Sequence, residues 1–143
     1  MKTHAFRLKP NQDLRTSIEG YVRAHQIKAG AILTCVGSLK HATIRMANAS
    51  ALDKSNQIKE YNQKFEIVSL VGTLSDEKCH LHISLSDKNG NVVGGHLKKG
   101  CLIYTTAEIV IAELKNLTFT REQDEATGFV ELVVDKKSNL KKI

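Results

Sequence analysis

Apolar side chains recur along this chain at two spacings, one helical and one extended. In NQDLRTSIEGYVRAHQIKAG, residues 11 to 30, Leu14, Ile18, Tyr21, Val22 and His25 fall on one stripe, the repeat of a helix that buries a single face. Asn11 after Pro10 is the expected N-cap, Asp13 suits the positive start, and Lys28 with Gly30 suits the end. A helix over about residues 11–26 is predicted, with Gly20 inside it costing about 1 kcal/mol relative to alanine.

Almost everything else has the pattern of strands. AILTCVGSLKHATIRMA, residues 31 to 47, is expected to hold two extended segments hinged near Gly37. KFEIVSLVGTLS, residues 64 to 75, is apolar on both faces, as a central strand would be. CHLHISLS, residues 79 to 86, alternates strictly, with Cys79, Leu81, Ile83 and Leu85 on one face and His80, His82, Ser84 and Ser86 on the other. NVVGGHL follows a turn containing Asn89 and Gly90, and AEIVIAEL and GFVELVVD supply later strands. One helix against many hairpin-linked strands predicts an α+β fold, a single compact domain with a largely antiparallel sheet.

The strand at residues 79–86 raises the first chemical question. Residues i and i+2 of a strand project from one face about 6.5–7 Å apart, so His80 and His82 can reach toward one metal ion. Whether His96 joins them depends on hairpin register. A two-residue Asn89-Gly90 turn pairs His82 with Leu97 and leaves His96 on the wrong face. A three-residue loop, Lys88 to Gly90, puts His96 opposite His82, and a bulge at Gly94-Gly95 would have the same effect. Three histidine nitrogens with an open fourth position form the usual catalytic zinc pattern. The bland alternative is an exposed histidine pair on a polar strand face. Glu66, inside FEIVSLVGTLS, is a candidate base or supporting partner of the ligands, or else a strand-end carboxylate in water. Arg45 is a candidate for holding an anionic substrate, or else a surface ion pair.

Charge changes the picture only modestly. The net charge of +6 divides into 11 Lys/Arg against 4 Asp/Glu over residues 1–64, 6 against 11 over residues 65–135, and 4 lysines against none in KKSNLKKI, residues 136–143. One domain over residues 1–135 and a basic tail over 136–143 are expected. Such a tail adds salt-sensitive contacts to DNA phosphates without reading sequence. There is no apolar h-region at the N-terminus and no run near the roughly 18 residues of a membrane span, so a cytoplasmic protein with no membrane partner is expected. Cys35, Cys79 and Cys101 lack Cys-x-x-Cys spacing and are expected to be buried, reduced thiols. Phosphate-loop, dinucleotide and Gly-x-Ser-x-Gly motifs are absent. Strand parity also puts Cys79 on the opposite face from His80, against cysteine–histidine catalysis.

FEIVSLVGTLS, then HLHISLSDKNGNVVGGHLKKG, then AEIVIAEL, together resemble the PPC (plant and prokaryote conserved) domain family in its stand-alone prokaryotic form. The resemblance covers nearly the whole chain and rests on Phe65-Glu66-Ile67, the turn at Gly90, and Val93-Gly94-Gly95-His96. It implies an α+β fold with an antiparallel sheet, a homotrimer, and a family label of predicted DNA-binding protein. The AT-hook that carries DNA binding in plant relatives has no counterpart here. The stand-alone form keeps the positions of His80, His82 and His96, which implies a divalent metal, zinc foremost, or a small-ligand site. Gly94 and Gly95 would lie beside the bound group. The fold is also similar to that of acetolactate decarboxylase, whose zinc is held by a His-x-His pair and a third histidine. That likeness makes Glu66 and Arg45 candidates for acid/base and carboxylate-holding roles in a metal-dependent lyase acting on a small anionic metabolite.

Overall fold

The computed structural model describes residues 1–53 and 57–137. The chain runs β1 (Lys2–Leu8), α1 (Leu14–Ala24), β2 (Gly30–Arg45), β3 (Ile58–Tyr61), β4 (Phe65–Leu74), β5 (His80–Ser86), β6 (Val92–Leu97), β7 (Leu102–Glu113), β8 (Leu117–Gln123) and β9 (Val130–Lys136). Of the expected basic tail, Lys136 closes β9, and residues 138–143 lie outside the described residues. The fold is α+β as predicted, with every strand pairing antiparallel.

The main sheet has the order β1-β7-β2-β4-β5-β6, with β3 also on β2. Its last strand returns to β2, where Ile44 pairs with Leu97 and Arg45 with His96. The ring β2-β4-β5-β6 is therefore closed, and its inward side chains form the core. Leu39, Ile44, Leu74, Leu81, Leu85 and Leu97 are buried there, together with Ile103 and Ile109 of β7 and Leu14, Ile18 and Val22 of α1. No helix among the described residues is long and apolar enough to cross a membrane.

The helix is shorter than its sequence pattern. Asn11 sits at φ 72, a left-handed conformation outside any helix, so the N-cap is Asp13, whose carboxylate accepts from the Thr16 amide at 2.8 Å. At the other end Gln26 takes φ 52. Its amide bonds Arg23 O at 3.1 Å and the Ile27 amide bonds Val22 O at 3.0 Å, the paired closure of a Schellman motif. Glycine is the usual marker of that position, and a glutamine there hid the stop. Leu14, Ile18 and Val22 are fully buried as predicted, while His25 is exposed.

Residues 31–47 are not two hinged segments. They form most of one 16-residue strand, β2, which bends through register shifts against β7 at Ile32/Thr34, Gly37/Leu39 and Leu39/His41. Bulges of this kind let a strand curve without breaking. β4 is apolar on both faces, yet its outer residues Val68 and Val71 are more than half exposed. The three thiols are free and buried, and burial raises Cys35 to about 12 and Cys79 and Cys101 to about 11.

Strands β1, β3 and β8 had no expectation attached. β8 and β9 form a separate two-stranded sheet, from Leu117 opposite Lys136 to Gln123 opposite Val130. The buried Phe119 donates its amide to Lys28 O at 2.9 Å, which fastens the hairpin to the end of the α1 loop.

Candidate metal centre

The turn after β5 decides the register. The Asp87 amide bonds Asn91 O at 2.9 Å and the Gly90 amide bonds Asp87 O at 3.0 Å. The Asp87 carboxylate also accepts from the amides of Asn89 at 2.9 Å and Asn91 at 3.0 Å. Gly90 takes φ 81, which suits a glycine closing a three-residue hairpin loop. Lys88 to Gly90 is therefore the loop, and the pairing proceeds without a bulge from Ser86 opposite Val92 to His82 opposite His96.

Gly94 and Gly95 serve close approach instead of a bulge. A Cβ on Gly94 would stand 2.6 Å from Ile83 O, and one on Gly95 2.5 Å from Arg45 O. Without side chains there, β6 fits between β5 and β2 and presents His96 to both.

Leu81, Ile83 and Leu85 are buried, so His80 and His82 point outward. His80 Nε2 and His82 Nε2 are 3.2 Å apart. One donor atom from each of His80, His82 and His96 lies within 4.8 Å of the other two. Zinc with nitrogens at 2.0–2.1 Å in tetrahedral geometry sets its donors about 3.4 Å apart. The first pair already has that spacing, and the third donor needs a small movement.

The electrostatics agree with the geometry. Burial first, then the charges of Arg45 and Arg15, push the His96 imidazole down to about 3. Burial, then His82 and Arg121, hold His80 below the ordinary histidine value. Neutral imidazoles keep the lone pairs that metal ligands need. His96 Nδ1 is buried and has no hydrogen-bond partner among the described residues, an arrangement that calls for an unseen partner. The donor set thus fits a divalent metal.

Arg45, opposite His96 in the β2–β6 register, lines a hollow of about 400 Å³ with Met46, Asn48, His82, Gly94, Gly95 and His96. Glu66 stands elsewhere. It pairs with Ser86, four positions along β5 from His82 and so about 13 Å away along the strand. Its side chain is exposed and lines another hollow with Ser38, Lys64 and Tyr104. One chain thus brings together His80, His82, His96, Arg45, Gly94 and Gly95, and leaves Glu66 apart. Met46 and Asn48 carried no sequence signal, because nothing local places the loop after β2 over a hairpin so distant in the chain.

The model of the Plants and Prokaryotes Conserved (PCC) domain matches residues 1–115. The chain belongs to this family. Among proteins of known structure, a hypothetical protein of Salmonella enterica is 34% identical, with a TM-score of 0.88 over 96% of this chain and 95% of that one. The metal-containing protein AF0104 of Archaeoglobus fulgidus is 28% identical, with a TM-score of 0.80 over 93% and 94%. Residues of the bifunctional protein GlmU of Synechococcus sp. (strain JA-3-3Ab) are 41% identical over 138 positions, 95% of this chain. This PCC chain spans about a fifth of the length of the curated relatives it matches. At 18% identity, a Bacteroides thetaiotaomicron protein described as a candidate for DNA binding shares the fold with a TM-score of 0.79. The α-acetolactate decarboxylase of Bacillus subtilis shares it at 16% identity and a TM-score of 0.50.

Proposed function

We propose that this PCC domain is a metal-dependent binding module in which His80, His82 and His96 hold a divalent cation, zinc foremost, beside a hollow that receives a small anionic ligand. The observation that carries this reading is the gathering of one donor from each of three imidazoles within 4.8 Å of one another, one of those rings having a buried nitrogen without a partner among the described residues. The similar Archaeoglobus protein, described as metal-containing, supports it. Bound there, the metal would supply Lewis acidity to an oxygen of the ligand. Arg45 would pair with the ligand's negative charge, and Gly94 and Gly95 would leave room beside the donors. Binding is favoured over the lyase alternative because Glu66, the acid/base candidate, does not face this hollow within one chain.

The same face of the molecule supports self-association. Leu33, Val36, Val68, Val71 and Val92 are each more than half exposed, and Val71 lies opposite His82 in the β4–β5 register. A homotrimer would cover such side chains, with sedimentation equilibrium as its measure.

Elemental mass spectrometry of the dialysed, tag-free protein tests the metal. Close to one zinc per chain is expected in the parent and none in the His80→Ala/His82→Ala/His96→Ala variant. No metal in the parent after incubation with zinc overturns the reading. The second reading, DNA association, draws on the basic residues 1–64 and the terminal lysines and on the candidate DNA-binding relative. It requires affinity that falls steeply with salt and drops when Lys136, Lys137, Lys141 and Lys142 are neutralised.

A further inference from the structure

The histidines have a second flank. Across the sheet from Arg45, the order β2-β6-β5-β4 leads past His96, His82 and His80 to Val71 and Thr73. Val71, Gly72, Thr73, His80 and His82 line a smaller hollow there, of about 160 Å³. Thr73 is directly opposite His80 in the β4–β5 register, and such neighbours have Cβ atoms about 4.5–5.5 Å apart.

An arginine from the separate hairpin reaches this flank. Arg121, on β8, donates from Nη2 to Thr73 Oγ1 at 3.3 Å and is half-buried. Its charge is felt at His80, as is that of Glu131 on β9. The hairpin lies beyond residue 115, where the family match ends, so the shared PCC pattern does not account for this arginine.

The donor trio therefore has an arginine at each side, Arg45 beside His96 and Arg121 beside His80. The His80 and His96 rings stand between these two cationic flanks, with centroids 5.3 Å apart. A monoanion can satisfy only one of them, whereas a short molecule with an anionic group at each end can satisfy both. We propose that Arg121 is a specificity-determining residue, and that the site selects a short dianion of the dicarboxylate class, one carboxylate on Arg45 and the other on Arg121. This rests on the reading of the histidine trio as a ligand site.

Calorimetric titration of the full chain, zinc-loaded and metal-free, with glutarate and with butyrate tests the clamp. An arginine–carboxylate hydrogen bond is worth enough to give the parent a preference for glutarate of about tenfold or more. Arg121→Gln should abolish that preference while zinc stoichiometry stays unchanged. Arg121→Lys should keep part of it, the ammonium being a point charge without the planar fork. Thr73→Val, which removes the anchor and leaves the charge, should reduce it. An undiminished preference in Arg121→Gln, or no preference in the parent, overturns the proposal. If zinc is absent from the parent and glutarate still depends on Arg121 in the metal-free chain, the metal reading fails and the clamp stands. If that dependence is missing too, both fail.

Discussion

Replacing Gly95 by alanine tests whether the glycine pair exists for clearance. The added Cβ would stand 2.5 Å from Arg45 O, where such contacts essentially never fall below 3.0 Å, so β6 must retreat from β2 by at least about 0.5 Å. Relief is hard to find, because the offending atom is backbone and β6 is held on its other side by β5. Forcing a methyl into packed backbone costs about 1–3 kcal/mol, and for a chain of this size that lowers the melting temperature by roughly 3–10 °C. The retreat also displaces His96 relative to His80 and His82 on β5, and loss of donor alignment should weaken zinc binding about tenfold or more. Gly20→Ala is the internal control. Nothing lies within 4 Å of a Cβ there, and a helical glycine gains about 1 kcal/mol on becoming alanine. Thermal melts followed by circular dichroism, with competitive zinc titration, should move the two variants in opposite directions. A Gly95→Ala protein that melts with the parent and keeps its zinc affinity would refute the clearance argument.

Two further outcomes follow from contacts away from the site. Asp13 caps α1 and also accepts from the Gly100 amide at 2.6 Å, so Asp13→Ala should cost about 1–2 kcal/mol in denaturant unfolding, with Asp13→Asn recovering most of it. Glu113 is held below the usual carboxylate value by Lys115 first, with His4 adding to it and burial opposing. A lowered folded value stabilises the protein above the unfolded pKa of about 4.3, and that contribution disappears as pH falls through the folded value. Between neutral pH and about pH 3 the parent should therefore lose more stability than Glu113→Gln, and equal acid losses would contradict the ion pair.

The sequence carried much of the site because its key pattern is local. Strict alternation in β5 placed His80 and His82 outward, and the sheet buried Leu81, Ile83 and Leu85 as alternation requires. The register of His96 stayed open because Asn89-Gly90 suits both two- and three-residue loops. The choice is made by the Asp87 carboxylate turning back onto two amides. The helix end was hidden by Gln26 in a glycine-like conformation. Arg121 could not have been anticipated, since its contact with Thr73 spans 48 residues. Glu66 shows the converse: it lies only 14 residues before His80 in the chain, yet within one chain it lines a different hollow.

The many pairings of β2 have a bearing on how the molecule is made. This one strand bonds to β7, β4, β3 and β6, so the ring cannot close until residues 30 to 97 have all left the ribosome. Partners that distant must find one another before their contacts repay the lost chain freedom, and such topologies fold slowly. Arg45 joins the three histidines only when β6 closes onto β2. A cation that recognises all three imidazoles needs only the β5–β6 hairpin to be paired, whereas an anion that also meets Arg45 needs the closed ring, and either would add to stability with the logarithm of its free concentration. Metal uptake during refolding would then report the pairing of one hairpin, and anion uptake the closure of the ring.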